Sequence, residues 1–281
     1  MVKQYDDCTL KKLQAVEVSI LKDVIKVCKK YNIEYFVMYG SLIGAIRHHG
    51  FIPWDDDVDI SMFRDDYEKF VQLFDKELGK KYDLVTPLRE KGYASAIVKV
   101  EKKGTTFISE YTKAMKCKQG IFIDIFVYDK VSADERQYRK QAKRTRFLSM
   151  MLFLVGSPNP EINIKGIKGT IAKIICKCMH YMFKICPGAR TGIYKKFVNY
   201  SVKANHEKVS EYTSYQCIEI DECRIDINDV LPCNEVPFED IKVNIPKNYD
   251  YILRKIYGDY MKLPPKEERI NHAADIIDFG D

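Results

Sequence analysis

A Gly-Ser turn followed by a tight cluster of aspartates constrains this chain more than any other feature of its sequence. The turn is Gly40-Ser41, and Asp55, Asp57 and Asp59 stand at alternating positions downstream of it. In an extended conformation alternate side chains share one face, so these carboxylates would lie together. Side-by-side carboxylates repel each other, and a fold retains them mainly to hold a divalent cation. The segment therefore predicts a metal-dependent enzyme that acts on a nucleotide phosphate.

The two ends of this segment are predicted to have different tasks. Asp57 and Asp59 would hold one or two Mg²⁺ ions, or Mn²⁺, because small hard cations prefer oxygen ligands. Gly40 would let the backbone approach a phosphate closely, and Ser41 would add a hydroxyl at the N-terminus of a short helix. Arg47, further along that helix, would bind the same phosphates in a bidentate manner.

Other kinds of site also use runs of aspartate. A solvated acidic turn is the simplest alternative, because charged side chains are mostly exposed. An EF-hand loop would need glycine in place of Ile60 and glutamate in place of Asp66, so that class is excluded. The Asp57–Asp59 pattern also occurs in glycosyltransferases, which stay open as an alternative, whereas phosphatases of the haloacid-dehalogenase type place an apolar strand before it. The upstream Gly-Ser turn favours a nucleotidyltransferase-like site.

Hydrophobic periodicity predicts a mixed α+β fold, in which a small mixed sheet is flanked by helices. Thr9 is expected to cap a first helix that ends near Tyr31. The other predicted helices are 40–48, 65–78, 134–155, 165–185, 193–209 and 249–257, and the predicted strands are 33–39, 57–63, 94–100, 105–109, 121–127 and 241–245. We divide the chain into a catalytic core (1–130), a basic helical insertion (131–210) and a C-terminal segment that returns to the core (211–281).

Three ordered blocks of the sequence closely resemble the LicD family, which includes bacterial phosphocholine transferases and the catalytic domains of fukutin-type proteins. The blocks are 40–60, 120–126 and 257–265, with a weaker match over 238–246. The resemblance implies a nucleotidyltransferase-like fold. It also implies an enzyme that moves a phospho-substituent from a CDP-activated donor to a glycan hydroxyl.

In bacterial members the donor is typically CDP-choline, and CMP is released. The acceptor that the resemblance implies is lipopolysaccharide, teichoic acid or a lipid-linked glycan precursor. By this resemblance Asp57 and Asp59 are the metal-binding pair, with Asp55 beside them. Asp124 is a candidate third carboxylate because it interrupts an apolar strand, although bonding to a backbone amide or a nearby lysine would also explain it. Many members have Pro-Leu-Asp where residues 127–129 are Val-Tyr-Asp, a departure that concerns the acceptor side.

Several other polar residues are candidates for binding or proton transfer. His48 would act as the general base, unless a metal-linked aspartate does so and His48 is an ordinary surface residue. Lys99 would contact a phosphate or stay solvated. Arg269 and His272, in or near the C-terminal block, are candidate substrate contacts. Trp54 would stack on a base or on choline methyl groups, or simply pack beneath its turn.

The positive charge of the chain is concentrated in one segment. The formal net charge is +6, yet residues 136–184 contain eleven Lys or Arg and one acidic residue, so the remainder is net negative. On a helix, Lys173, Lys177, His180 and Lys184 would form a narrow stripe beside a broad apolar face, a pattern typical of helices on an anionic membrane. Packing on the core and RNA binding are the alternatives, and no nucleic acid partner is expected. Neither helix of this segment is expected to span a bilayer.

Composition adds an expectation about location. The nine cysteines have no framework spacing, and Cys217, Cys223 and Cys233 lack the pairing of structural zinc sites, so we expect reduced thiols and no zinc. The polar N-terminus does not resemble a signal peptide. A cytoplasmic protein, peripheral at the inner face of the membrane, is expected.

Three functions therefore remain open. The favoured one is a CDP-dependent phosphotransferase that decorates a cell-surface glycan. The second is a nucleotidyltransferase that adds a nucleotide from an NTP to a small molecule or RNA. The third is a non-enzymatic binding protein with a decayed site. The presence of Asp55, Asp57, Asp59 and Asp124 argues against this third function.

Overall fold

The first helix, α1 (Asp7–Tyr31), forms because apolar residues recur at helical spacing along its whole length. Its N-cap is Asp6, whose carboxylate accepts a hydrogen bond from the Thr9 amide at 2.9 Å. The prediction that Thr9 is the cap is therefore wrong, because an aspartate side chain reaches the free amide three residues further on. Asn32, in the left-handed conformation, ends the helix.

The computed structural model describes residues 4–110, 112–158, 166–271 and 273–280. The remaining helices are α2 (Tyr39–Arg47), α3 (Arg64–Glu77), α4 (Glu135–Gly156), α5 (Gly166–Lys184), α6 (Ala189–Ser201), α7 (Ile227–Val230) and α8 (Tyr249–Tyr257). The strands are β1 (Phe36–Val37), β2 (Asp59–Phe63), β3 (Tyr82–Val85), β4 (Val98–Lys102), β5 (Thr106–Ile108), β6 (Phe122–Lys130), β7 (Glu211–Thr213), β8 (Ile225–Asp226), β9 (Asn234–Phe238), β10 (Ile241–Ile245) and β11 (Ile276–Asp278).

A curled mixed sheet lies at the centre of the fold. Five of its seven strands follow the order β1-β2-β6-β4-β3, while β7 pairs with the end of β6 and β8 pairs with β7. The central neighbours β2 and β6 are parallel, and the other pairings are antiparallel. Two small antiparallel pairs, β9–β10 and β5–β11, lie apart from this sheet. The predicted mixed α+β class is confirmed.

The buried apolar side chains form two clusters. The larger cluster joins the sheet to α1, α2, α3 and α8 and includes Ile60, Met62 and Phe63 of β2, a strand that is buried along its whole length. The smaller cluster joins α4 and α6 to the chain around residues 85–96. The helical segment therefore packs on the part of the chain that carries the sheet. The division into core, insertion and returning segment stays a prediction.

Helix α5 packs on α4 along one side only. His180 is buried there, and its Nδ1 donates a hydrogen bond to the Leu154 carbonyl at 2.7 Å. The prediction that His180 belongs to the cationic stripe is therefore wrong, because its ring faces α4 while the lysines are exposed. The outer side of α5 exposes apolar residues, namely Ile171, Ile174, Ile175, Tyr181 and Met182. Among the described helices, none combines the length and hydrophobicity of a transmembrane span.

Candidate active site

Two buried carboxylates lie side by side at the centre of the sheet. Asp59 begins β2 and Asp124 lies in β6, and the parallel register pairs these two residues directly. Each residue is 8% exposed. Directly paired residues present their side chains on one face of a sheet, with Cβ atoms about 5 Å apart. The fold thus brings together two acidic residues that are 65 positions apart in the sequence.

The start of α2 is bonded to the start of β2, which fixes the first of these carboxylates. The Asp59 amide donates a hydrogen bond to Ser41 Oγ at 2.8 Å, and the Met38 amide donates to the Asp59 carbonyl at 3.1 Å. The Asp124 amide donates to the Val58 carbonyl at 2.9 Å. Ser41 is buried, so its oxygen positions Asp59 in addition to marking the helix N-terminus.

Negative charge exceeds positive charge around this pair of carboxylates. Burial, followed by the charges of Asp57 and Asp124, raises the pKa of Asp59 well above its ordinary value. Burial also raises the pKa of Asp124, and the Lys99 ammonium opposes that effect. Lys99 Nζ lies 2.8 Å from Asp124 Oδ1 in a largely buried ion pair. The alternative in which a lysine partners Asp124 is therefore observed, but this single ion pair leaves Asp59 among like charges.

The aspartate loop approaches the N-terminus of α2 very closely. A Cβ added at Gly40 would lie 2.8 Å from Asp55 Oδ2, so a larger residue would force this carboxylate away. Gln14 of α1 holds the loop from the other side, where its Nε2 donates to the Asp55 carbonyl at 2.8 Å. Asp56 is buried and Asp57 is half-buried. The loop is therefore anchored by its backbone, and the Asp55 carboxylate lies against the start of α2.

A cationic cluster lies next to the loop. Arg47 donates from Nε to His48 Nε2 at 2.9 Å and from Nη1 to the Tyr260 carbonyl at 2.5 Å. Burial and the nearby charge of Arg269 lower the pKa of Arg47. The Arg269 guanidinium stands 5.2 Å from the centre of the Trp54 ring, next in sequence to the aspartates. Two guanidinium groups therefore converge beside the loop, and one face of Trp54 is already covered.

Three of the predicted site residues, Lys99, His48 and His272, are not observed in the roles that the sequence predicted. Lys99 is engaged by Asp124, and His272 lies outside the described residues. His48 has a pKa lowered by burial and by Arg47. In the described ranges, no three His, Cys, Asp or Glu side chains form a ready-made metal cage.

The donor set nevertheless fits a hard divalent cation. Mg²⁺ is commonly held by one or two carboxylates together with substrate phosphates, so a complete protein cage is not required. Asp59 and Asp124 supply two adjacent oxygen donors in a buried setting, and Asp57 adds a like charge that raises the pKa of Asp59. A cation bound there would relieve this repulsion.

Two residues near the site were missed by the sequence predictions. Tyr257 of α8 has a raised pKa, caused by burial and then by the charge of Asp59. Glu17 of α1 is fully buried, and its pKa is raised by burial and then by Asp57. A signal for Glu17 was available, because it is an acidic residue within the apolar stripe of α1.

The similarity to known proteins agrees with this geometry. Over 94% of its length the chain is 30% identical to a lipopolysaccharide cholinephosphotransferase, LicD of Haemophilus influenzae, of which it covers 96%. The chain belongs to the LicD family. The family resemblance noted in the sequence is thereby confirmed. Residues 32–154, which include both central carboxylates, match the family described as LicD/FKTN/FKRP, nucleotidyltransferase domain.

A second relative is similar to this chain over only a short segment. The human and mouse ribitol 5-phosphate transferase FKRP is 38% identical over 60 residues, which are 21% of this chain and 12% of that protein. By their names, both relatives are enzymes that transfer a phosphorylated alcohol. The match to FKRP covers too little of either protein to extend beyond this segment.

Proposed function

We propose that this protein transfers phosphocholine from CDP-choline to a hydroxyl of a cell-surface glycan or its lipid-linked precursor, with release of CMP. The acceptor oxygen forms a bond to the β-phosphorus as the bond to the bridging oxygen of the diphosphate breaks. The observation that carries the proposal is the buried Asp59–Asp124 pair beside the N-terminus of α2. It is supported by near full-length similarity to a lipopolysaccharide cholinephosphotransferase.

We assign Asp57, Asp59 and Asp124, with Asp55 beside them, to holding Mg²⁺ or Mn²⁺. Such an ion, when bound, neutralises negative charge on the phosphate oxygens and orients them for displacement. Asp59 and Asp124 are buried on adjacent strands, which would fix the orientation of their carboxylates before an ion binds. Lys99 offsets part of the charge of Asp124.

The donor diphosphate would bind between α2 and the cationic cluster. Free amide groups at the first turn of α2 attract anions, and Gly40 leaves room for the Asp55 carboxylate beside this turn. Arg47 and Arg269 add positive charge on the other side of the loop. Both guanidinium groups are oriented by backbone carbonyls, of Tyr260 and Pro264 respectively. Little conformational entropy would then be lost when they bind phosphate.

The attacking hydroxyl must give up a proton as its oxygen bonds to phosphorus. His48 was predicted for this task, but its Nε2 already accepts a hydrogen bond from Arg47. We therefore assign His48 to orienting Arg47. An aspartate of the loop is our candidate base, and we favour Asp57, which is half-buried whereas Asp56 is buried.

A nucleotidyltransferase is the second candidate, because the matching family description names that domain. It would use the same carboxylates but would transfer a nucleotide from an NTP and release pyrophosphate. The products distinguish the two reactions.

The test is to incubate the purified protein and Mg²⁺ with CDP-choline, other CDP-alcohols or NTPs, in each case with a cell-envelope glycan extract. We expect CMP release by chromatography and a phosphocholine mass increment on the glycan, both abolished by EDTA and restored by Mg²⁺. Pyrophosphate release from an NTP, without CMP release from any CDP-alcohol, would overturn the proposal in favour of the nucleotidyltransferase.

We also propose that α5 docks on an anionic membrane surface, which would suit a lipid-linked acceptor. Ile174, Ile175 and Met182 are exposed on the outer side of α5. Lys173, Lys177 and Lys184 are exposed as well, and at helical spacing they lie along one edge of this apolar side. Apolar side chains bordered by lysines are suited to the interface of an anionic bilayer.

A further inference from the structure

The buried stripe of α1 contains one carboxylate. Glu17 lies four residues after Leu13 and three before Ile20, and both of these neighbours are fully buried. At this spacing the three side chains share one face of the helix, so Glu17 points into the interior. It is 1% exposed, and its Oε2 accepts no hydrogen bond from any described residue. A buried carboxylate in that situation is strongly unfavourable unless something else compensates it.

Glu17 lies on the side of α1 that bonds to the aspartate loop. Gln14, one turn earlier on the same face of α1, donates a hydrogen bond to the Asp55 carbonyl at 2.8 Å. After burial, the charges that act most strongly on Glu17 are those of Asp57, Asp56 and Asp55. α1 therefore presents an additional acidic side chain to a group that is already rich in carboxylates.

Two buried acids outside the proposed cation centre, Asp129 and Glu101, bond to protein groups. Asp129 accepts hydrogen bonds from Arg64 at 2.8 and 2.6 Å and from Asn205 at 2.8 Å. Glu101 Oε2 accepts the Gly120 amide at 3.0 Å. Within the described ranges no cationic side chain forms an ion pair with Glu17. Among the described residues, therefore, no protein group compensates Glu17 as Arg64 compensates Asp129.

We propose that Glu17 is an acidic residue of the cation centre, placed behind the aspartate loop so that its charge is balanced when a divalent cation binds there. This inference rests on the cation centre of the proposed function. Glu17 acts through its field on Asp57 and its neighbours, as a positioning residue that increases the affinity of the site for divalent cations.

The test is the affinity of the full-length protein for Mg²⁺, measured by calorimetric titration without any nucleotide. Glu17→Gln keeps the shape of the side chain and removes its charge. We expect this variant to bind Mg²⁺ about tenfold more weakly or worse, as Coulomb's law with an effective dielectric constant of about 20 implies. We also expect a higher melting temperature than wild type without cation, because an uncompensated buried charge is removed.

Glu101→Gln is the matched control. It removes another buried glutamate, one whose carboxylate is satisfied by the Gly120 amide, and we expect its Mg²⁺ affinity to equal that of wild type. Glu17→Met provides a second variant, since methionine is flexible and apolar and suits a buried position even if the amide is not tolerated. It should lose Mg²⁺ affinity as Glu17→Gln does.

The possible failures are distinguishable. Wild-type Mg²⁺ affinity in folded Glu17→Gln, or in folded Glu17→Met, overturns the role of Glu17 and leaves the cation centre intact. Absence of Mg²⁺ and Mn²⁺ binding by the wild-type protein, both without nucleotide and with CDP-choline present, overturns the cation centre and this inference with it. If wild-type binding requires CDP-choline, the variants are compared in its presence.

Discussion

The centre of the sheet and the outer side of α5 depart from the usual distribution of residues in opposite ways. At the sheet, the carboxylates of Asp59 and Asp124 are withdrawn from water. On α5, Ile174 and Ile175 are more than half exposed, at 56% and 53%. Charged side chains are mostly exposed and isoleucine is among the most buried residues, so both arrangements are unfavourable in the isolated protein. Under the proposed function each would have a different partner, a cation with phosphates in one case and a lipid surface in the other.

The two regions also differ in how firmly they are held. Asp59 and Asp124 lie on central strands, and backbone and side-chain hydrogen bonds fix the ends of β2 and α2 around them. α5 packs chiefly on α4 and has an exposed outer side. Charge stabilisation during a displacement requires positioned groups, whereas adhesion to a bilayer requires only exposed area and charge. The rigid region would therefore carry the chemistry, and the loosely packed one would carry attachment.

The largest effect is expected from Asp124→Asn, which removes a charge from the sheet pair while keeping its shape. The rate of CMP release should fall at least about 1,000-fold, because electrostatic stabilisation is commonly the largest catalytic contribution. The melting temperature should fall only modestly, since Lys99 loses its partner while the repulsion on Asp59 is relieved.

Asp129→Asn, on the same strand, is the control for this variant. Asp129 is paired with Arg64, so its replacement should lower the free energy of unfolding by about 3 kcal/mol. The protein that remains folded should keep near wild-type activity. If both variants lose stability and activity in parallel, the carboxylates at the sheet centre are structural, and the contrast with Asp129 fails.

A smaller effect is expected from replacing the three lysines at residues 173, 177 and 184 by glutamate. Each lysine near an anionic surface contributes about 1 kcal/mol, so vesicle binding should weaken at least about 100-fold in phosphatidylserine sedimentation assays. The same change at Lys76, Lys80 and Lys91, which are exposed elsewhere, should have little effect. Equal loss in both triple variants would mean that net charge alone governs binding, and the special role of α5 would be lost.

The smallest effect concerns a buried acid away from the aspartate loop. Burial raises the pKa of Glu101 from 4.5 to about 7, and the Gly120 amide partly opposes this. Between these values the folded state holds the proton more tightly than the unfolded chain, so the free energy of unfolding falls as pH rises through this window. The fall attributable to Glu101 is at most about 3 kcal/mol. Urea unfolding of Glu101→Gln from pH 4.5 to 8 should lack this component, and an unchanged pH profile would contradict it.

How much could be predicted from the sequence differs between local and long-range features. The helix at residues 249–257 and the strand at 241–245 have the predicted bounds, since their periodicity is local. The predicted strand 33–39 shrinks to β1, because Tyr39 adopts a φ of 53° and begins α2. β3 was not predicted at all, and α6 begins before its predicted start. The boundaries of helices and strands depend on tertiary contacts, which hydrophobic periodicity does not reveal.

The site shows the same limit. Asp59 was a candidate because of the alternating aspartate cluster, and Asp124 because it interrupts an apolar strand. Their direct pairing, however, depends on the parallel register of β2 and β6. The periodicity of α1 indicates that Glu17 is buried, but it does not indicate what Glu17 faces. Likewise, the pairing of Lys99 with Asp124 follows from antiparallel pairing of β4 with β6.

The hydrogen bonds of Tyr5 have a consequence for the order of folding. Its amide donates to Asn271 Oδ1 at 3.2 Å, and its hydroxyl accepts from the Ala274 amide at 2.7 Å, across 266 and 269 positions of sequence. Contacts of such high sequence separation form late, after the entropy of closing the intervening chain is lost. Since Arg269 and Tyr260 reach the site from this same stretch, a ribosome-bound nascent chain would have its carboxylates before the two arginines that we propose for phosphate binding were in place.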